Sequence, residues 1–245
     1  MPKGKKNILI LVGSSDIGIS LIQRLDIKNY KIGAHCYKGK SRLSKYKDKV
    51  VIIKKNLNTK KKCFQLVNEF KKKVGPPDIL INLIGEIGQT SDWQKITEKD
   101  IENLTKINLN SAIFTSQKIF ELMKKNKHGK FIFMSTGSVG KRPSSNSLVY
   151  GLAKASIENF SKFLAKEGGK FNIISNCISP GFIKTRLHTR KLRKNAKQIK
   201  LRSSMNVLKR AGRSEEVAHL MIYLISDKSN FITGENIPIT GGDWL

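Results

Sequence analysis

Short apolar runs alternate with longer amphipathic stretches along the whole chain. The runs at 8–12, 31–36, 50–54, 78–82, 130–135, 172–177 and 236–239 have the length and composition of strands. Helical spacing predicts helices over 17–25, 61–73, 98–125, 148–166 and 215–225. In the second of these, Phe64, Val67, Phe70 and Val74 mark an apolar stripe at three- and four-residue intervals. Strands that are apolar on both faces and joined by helices imply a parallel sheet covered on each side. Right-handed crossovers then make that sheet doubly wound. The pattern predicts one α/β domain over residues 1–245, with about seven strands and helices on both faces. No linker or repeat interrupts it. Only residues 186–213 depart, being very basic and weakly periodic. They read as an insertion over the carboxyl edge of the sheet, where such folds place ligands.

Composition narrows the picture modestly. A chain of 245 residues with 39% hydrophobic and 27% charged residues is neither disordered nor fibrous. No stretch approaches the roughly 18 apolar residues of a membrane span. The start passes from two Lys into a strand without the apolar core of a signal peptide. Cys36, Cys63 and Cys177 are too few and too scattered for a disulfide framework or a zinc site, so a reducing, cytoplasmic setting is expected. Charge is the unusual feature: 47 Lys plus Arg against 18 Asp plus Glu, or +29. Nucleic-acid surfaces lean on Arg and clustered aromatics. Here the cations are mostly Lys, spread evenly beside Asn and Ile, with no recognition helix or aromatic platform. The charge bears on solubility and encounter rates, and neither nucleic acid nor membrane is an expected partner.

Two segments carry chemistry. The first strand ends in Leu11-Val12-Gly13-Ser14-Ser15-Asp16-Ile17-Gly18 and runs into a helix, a turn whose backbone N–H groups can approach a pyrophosphate. Tyr150 and Lys154 are four apart on a predicted helix, hence on one face. An ammonium beside a phenol stabilises the phenolate, lowering the Tyr pKa from about 10 and making it a usable general acid.

Taken in order, these segments resemble the short-chain dehydrogenase/reductase family over the full length. Residues 11–18 look like its T-G-x-x-x-G-x-G turn, and Asn82 to Gly85 like its N-N-A-G. Asn108 sits where the family carries an Asn on its long central helix. Tyr150 and Lys154 look like the catalytic pair. Asn176, Pro180, Gly181 and Thr185 match N-x-x-x-P-G-x-x-x-T. Ser214 to Ala218, Thr233-Gly234 and Gly241-Gly242 match the tail. Three departures stand out. Val12 and Asp16 replace the first two glycines of the turn. Leu83 and Ile84 replace the second Asn and the Ala. The catalytic Ser falls on Thr136 when aligned along the strand and on Gly137 when counted back from Tyr150, with Ser138 close behind; Thr136 and Ser138 are both carried as candidates.

The resemblance implies a Rossmann-type sheet and hydride transfer between a nicotinamide and a ketone or secondary alcohol. Tyr150 would protonate the forming alkoxide, and Lys154 would lower its pKa and hold the ribose. Thr136 or Ser138 would polarise the carbonyl, and Asn108 would hold a water linked to Lys154. Cofactor contacts would come from Gly13, Ser14, Ser15, Asp16, Ile17, Gly18, Lys38, Asn56, Leu57, Asn82, Gly85, Tyr150, Lys154, Pro180, Gly181, Ile183 and Thr185. NADP(H) is expected over NAD(H), because residues 35–42 carry no acid to bind the adenosine ribose and repel a 2′-phosphate. Lys38 is the expected phosphate contact, assisted by Lys40 or Arg42. The nearest subgroup is the 3-oxoacyl-acyl carrier protein reductases. Arg186, Arg190, Lys191, Arg193, Lys194, Lys197, Lys200 and Arg202 would then receive an anionic substrate or an acidic carrier, or else form a solvated lid with the chain's usual Lys. A reductase of sugars or other small ketones and a non-catalytic dinucleotide-binding protein are the alternatives. The apolar surface of the long helices, including Ile107, Leu109, Ile113, Phe114, Ile119, Phe120, Phe160, Phe163 and Leu164, points to a homotetramer. His128 and His188 have no partner set for a metal.

Overall fold

Seven parallel strands form one sheet in the order β3-β2-β1-β4-β5-β6-β7. They are β1 (Lys6–Leu11), β2 (Tyr30–Cys36), β3 (Val50–Lys54), β4 (Ile79–Asn82), β5 (Gly129–Met134), β6 (Ile173–Pro180) and β7 (Asn236–Ile239). The computed structural model describes residues 4–38, 40–88, 92–139, 147–243 and 245. The side chains of Lys40, Arg190 and Lys191, named above as anion contacts, lie outside the described set. Strand order reverses between β1 and β4, where Leu11 pairs with Asn82. A sheet wound outward from that point opens a crevice at the carboxyl ends of these two strands.

Alternation along β1 divides the core. Ile8 and Ile10 point to the face covered by α1 (Asp16–Arg24) and, packed beside it, α8 (Ser214–Ile225). Leu9 and Leu11 point to the face covered by α3 (Lys60–Lys73), α5 (Ser111–Asn126) and α6 (Leu148–Gly168). The stripe predicted on α3 is buried at Val67 and Phe70, with Leu66 and Cys63 beside it, while Phe64 stays half-buried. A fully buried apolar side chain contributes about 1.5–3 kcal/mol, so these two layers dominate the fold. Gly33 in β2 has a specific cause: a Cβ there would lie 2.4 Å from the Phe70 ring.

Lys130 breaks the apolar run of β5. It is 1% exposed, and its ammonium donates to the carbonyls of Leu224 (3.2 Å) and Ser226 (2.6 Å) and to Ser229 Oγ (3.2 Å). These acceptors include carbonyls left over at the end of α8, where a cation is also favoured by the helix dipole. Burial pushes the Lys130 pKa down to about 8.

The larger departures from expectation lie in β6, the central helix and two short helices. β6 runs on past residue 177 to Pro180, which pairs with Ile239. Proline is tolerated there because it ends the strand. The helix predicted over 98–125 is instead α4 (Glu98–Thr105), a π-helical turn (Lys106–Asn110) and then α5. Two short helices escape the pattern: α2 (Lys40–Leu43), and α7 (Ala196–Ser203) within the basic insertion.

Candidate active site

Four strand ends converge on the crevice. At the end of β1, Val12 adopts φ 57°, a left-handed conformation that is costly for a β-branched residue. Its N–H donates to Nδ1 of His35 (3.3 Å), and His35 Nε2–H donates to the Lys55 carbonyl (2.9 Å). These two bonds select one neutral tautomer. Burial pushes the His35 pKa down to about 4, the bond to Lys55 only partly opposing it. Ser15 caps α1 by accepting from the Gly18 N–H (3.0 Å). A Cβ on Gly18 would lie 2.6 Å from the Gly13 carbonyl oxygen, so only glycine lets the helix begin this close to the strand.

Asp16 is the first residue of α1, a position favoured by the helix dipole. Its carboxylate accepts from Arg42 Nη2 (2.6 Å), from the Arg186 backbone N–H (2.6 Å) and from Arg186 Nε (3.1 Å). Arg42 Nη1 also donates to the Ser14 carbonyl. Burial works to raise the Asp16 pKa, but the Arg186 N–H and the two guanidinium groups outweigh it and hold the carboxyl below its usual range. Arg42 and Arg186 are therefore the cations brought to the turn. Lys38, the expected phosphate contact, is exposed, with its ammonium 5.7 Å from the centroid of the Tyr37 ring. Asn56 is half-buried just beyond β3, and Leu57 is buried in the core.

At the end of β4, Asn82 accepts from the Ile84 N–H (3.0 Å), turning the chain so that Gly85 faces α6. A Cβ on Gly85 would lie 3.7 Å from the Tyr150 hydroxyl and 3.9 Å from Lys154 Nζ. The Tyr150 hydroxyl and Lys154 ammonium thus both border the space left by the missing side chain of Gly85. Lys154 is 1% exposed and donates to the carbonyls of Ile84 and Met134, both at 2.6 Å. The expected lowering of the Tyr150 pKa is not found. Burial raises it to about 12, and burial lowers that of Lys154 to about 8. Two of the three ammonium protons go to carbonyls, and the ion lies 5.6 Å from the phenol ring centroid.

In the π-helical turn Asn108 donates both amide protons, to the carbonyls of Glu86 and Leu104 (each 2.9 Å), and accepts from the Glu86 N–H (2.8 Å). It thereby anchors the loop after β4. Beyond β5, Thr136 and Ser138 are both half-buried on one tight turn, with Ser138 N–H donating to Thr136 Oγ1 (3.4 Å). Residues 140–146, which complete that loop, lie outside the described residues. The Gly137 N–H donates to the Pro180 carbonyl (2.8 Å), tying the loop to the end of β6.

After β6, Gly181 passes so close to Thr240 that a Cβ would lie 2.8 Å from its Cα. Ile183 is buried and bridges to Gly212, closing the base of the basic insertion. Thr185 Oγ1 lies 3.3 Å from His188 Nδ1. Arg202 binds Asp243 through two bonds (2.7 and 2.6 Å) and stacks over Phe182. The insertion is thus tied at Arg186 and again at Arg202. A cavity of about 230 Å³, bounded by Glu86, Ile96, Leu104, Ile107, Val149 and Tyr150, opens beside the phenol.

Sequence reasoning missed Glu158. It lies one turn after Lys154 on the same face and accepts from Ser135 Oγ (2.5 Å) and Ser179 Oγ (3.3 Å), the residues preceding Thr136 and Pro180. The four-residue interval from Lys154 was the available signal. Among the described residues, no group of three His, Cys, Asp or Glu is placed to hold a metal. No helix among them is long and apolar enough to cross a membrane.

The model of the enoyl-(acyl carrier protein) reductase family matches residues 17–243. A 3-oxoacyl-acyl-carrier-protein reductase of Buchnera aphidicola subsp. Schizaphis graminum is 37% identical over 172 residues, covering 69% of this chain and 67% of that one. An acetoacetyl-CoA reductase of Allochromatium vinosum is 26% identical across 96% of both chains. A short-chain dehydrogenase/reductase of Serratia marcescens shares the fold with a TM-score of 0.89, at 22% identity over the whole of both chains.

Proposed function

The chain belongs to the short-chain dehydrogenase/reductase family of oxidoreductases, and from that premise we propose that it is an NADP(H)-dependent reductase of 3-oxoacyl thioesters. The observation that carries this reading is that the Tyr150 hydroxyl and Lys154 ammonium both border the bare face of Gly85. A nicotinamide dinucleotide fits the residues present. Gly13, Ser14, Ser15, Ile17 and Gly18 offer a tight, amide-lined turn for the pyrophosphate. Asn82, Gly85, Pro180, Gly181, Ile183 and Thr185 border the space toward the nicotinamide, with Asn56 and Leu57 on the adenine side. When bound, the reduced cofactor supplies the hydride.

The protein's own part is the proton and its placement. Tyr150 donates its proton to the oxygen of the carbonyl as that carbon is reduced. Lys154 keeps one N–H for the ribose hydroxyls after its two carbonyl bonds. Thr136 or Ser138 donates a hydrogen bond to the same carbonyl oxygen. Asn108 holds the wall formed by Glu86. NADP(H) is favoured over NAD(H) by Arg42 beside the turn and by the absence of any acid between Cys36 and Arg42.

A thioester substrate is supported by the names of the relatives above and by the largely apolar cavity beside Tyr150. The cations of the basic insertion suit an acidic carrier. Buried thiols at Cys36, Cys63 and Cys177 agree with a reducing, cytoplasmic setting. Most of the apolar residues named on the long helices face the sheet, but Ile107 and Phe163 are exposed, as are Ile101, Leu148 and Leu152. That residue of apolar surface supports a homotetramer, measurable by light scattering. The test of function is NADPH oxidation with acetoacetyl-CoA. Tyr150→Phe, folded and still binding NADPH, should lose at least about 10²-fold in turnover. Full activity in that variant, or equal Michaelis constants for NADH and NADPH, would overturn the assignment.

A further inference from the structure

The carboxylate in the phosphate turn is a departure that the proposed function does not absorb. Asp16 stands where the turn would otherwise carry a glycine, and its neighbours are cations suited to an anion. Arg42 reaches back from α2, which follows the end of β2, the strand whose carboxyl end meets the adenosine ribose in a doubly wound sheet. Its guanidinium is spent on two groups of the turn itself, Asp16 Oδ1 and the Ser14 carbonyl. The pair is only partly exposed, with side-chain exposures of 25% for Arg42 and 19% for Asp16, so solvent screens it incompletely. Two of its five N–H donors are committed and its charge is already offset by a carboxylate, so a second anion gains less from it than from a free guanidinium.

We propose that Asp16 is a built-in competitor for the 2′-phosphate of the cofactor, holding Arg42 in an internal ion pair that the phosphate must displace. This rests on the NADP(H) reading above. It makes the strength of NADPH binding, and the margin over NADH, a property set by Asp16 and not only by the cations of the site. NADH has no 2′-phosphate and gains nothing from a released Arg42.

The experiment is direct binding of NADPH and NADH, read by cofactor fluorescence, to the wild type, Asp16→Asn, Asp16→Gly, Arg42→Ala and the Asp16→Asn/Arg42→Ala double variant. Asp16→Asn keeps the shape and cap position of the side chain, and Asp16→Gly provides a second route should the first fold poorly. Freed of its carboxylate, Arg42 should tighten NADPH about tenfold relative to NADH, the scale of one charge-assisted hydrogen bond. Without Arg42 the same substitution should give no gain, as a coupled pair requires. Binding of NADPH by an Asp16 variant alone would be the strongest form of support. An unchanged or reduced NADPH-to-NADH ratio, or an equal gain for both cofactors, overturns the competitor role while leaving the cofactor assignment intact. Absence of binding in every variant overturns both.

Discussion

Acid sensitivity centred on His35 follows from its place between Val12 and Lys55. The side chain is 3% exposed and neutral, with one nitrogen accepting and the other donating. Burial lowers its pKa from 6.5 to about 4 in the folded protein, whereas the unfolded chain takes up the proton near 6.5. Between these values the unfolded state binds more protons, so stability rises with pH. The contribution is fully present above pH 6.5 and is lost as the pH falls through 4. At about 1.4 kcal/mol per pH unit the interval amounts to roughly 3 kcal/mol, of which about 2.5 kcal/mol is gone by pH 4.5. His35→Asn keeps a donor and an acceptor but cannot titrate. Urea unfolding of both proteins from pH 7.5 to 4.5 should show the variant gaining about 2.5 kcal/mol on the wild type as the pH falls. His188, also lowered to about 4 by burial and then by Lys194 and Arg202, is common to both proteins and cancels in the difference. A difference that stays flat with pH would refute the assignment of this proton to His35.

Gly18→Ala must push its new methyl away from the Gly13 carbonyl, and should lower unfolding stability by about 1–3 kcal/mol while weakening dinucleotide binding; a variant that binds and melts like wild type would show that the turn yields freely. Lys130→Met removes the donor from two carbonyls and a hydroxyl, and should cost about 2 kcal/mol in urea unfolding with little change in turnover per folded molecule. Glu158→Leu should leave Ser135 and Ser179 without their shared acceptor and reduce turnover about tenfold with a smaller change in KM, since Thr136 and Pro180 each follow one of those serines. Glu158→Gln, which keeps an acceptor oxygen, should restore most of that loss; a mere stability effect would not be rescued in turnover per folded molecule.

Much of the sheet is legible because its central strands β4, β5 and β6 are buried on both faces, and each of the seven apolar-rich runs overlaps a strand of the observed sheet. The α1 and α8 boundaries were legible to within one residue, the helices starting at Asp16 and Ser214 where the pattern predicts 17 and 215. What escaped were features that depend on residues far apart in sequence. Arg42 and Arg186 reach Asp16 from 26 and 170 positions away, and no local pattern encodes that meeting. The break in the helix over 98–125 was hidden because a π-helical turn changes the hydrogen-bond ladder without changing which residues are apolar. The pairing of Tyr150 with Lys154 was plain from spacing, yet its electrostatic outcome was not. The spacing says the two are close, while the carbonyls of Ile84 and Met134 decide where the ammonium points.

Gly33 and Phe70 share a single volume in the core. The phenyl ring occupies the volume that any side chain at position 33 would need, so the glycine is demanded by its neighbour and not by its own backbone. The two positions therefore act as one packing unit: a larger residue at 33 fits only where position 70 is made smaller.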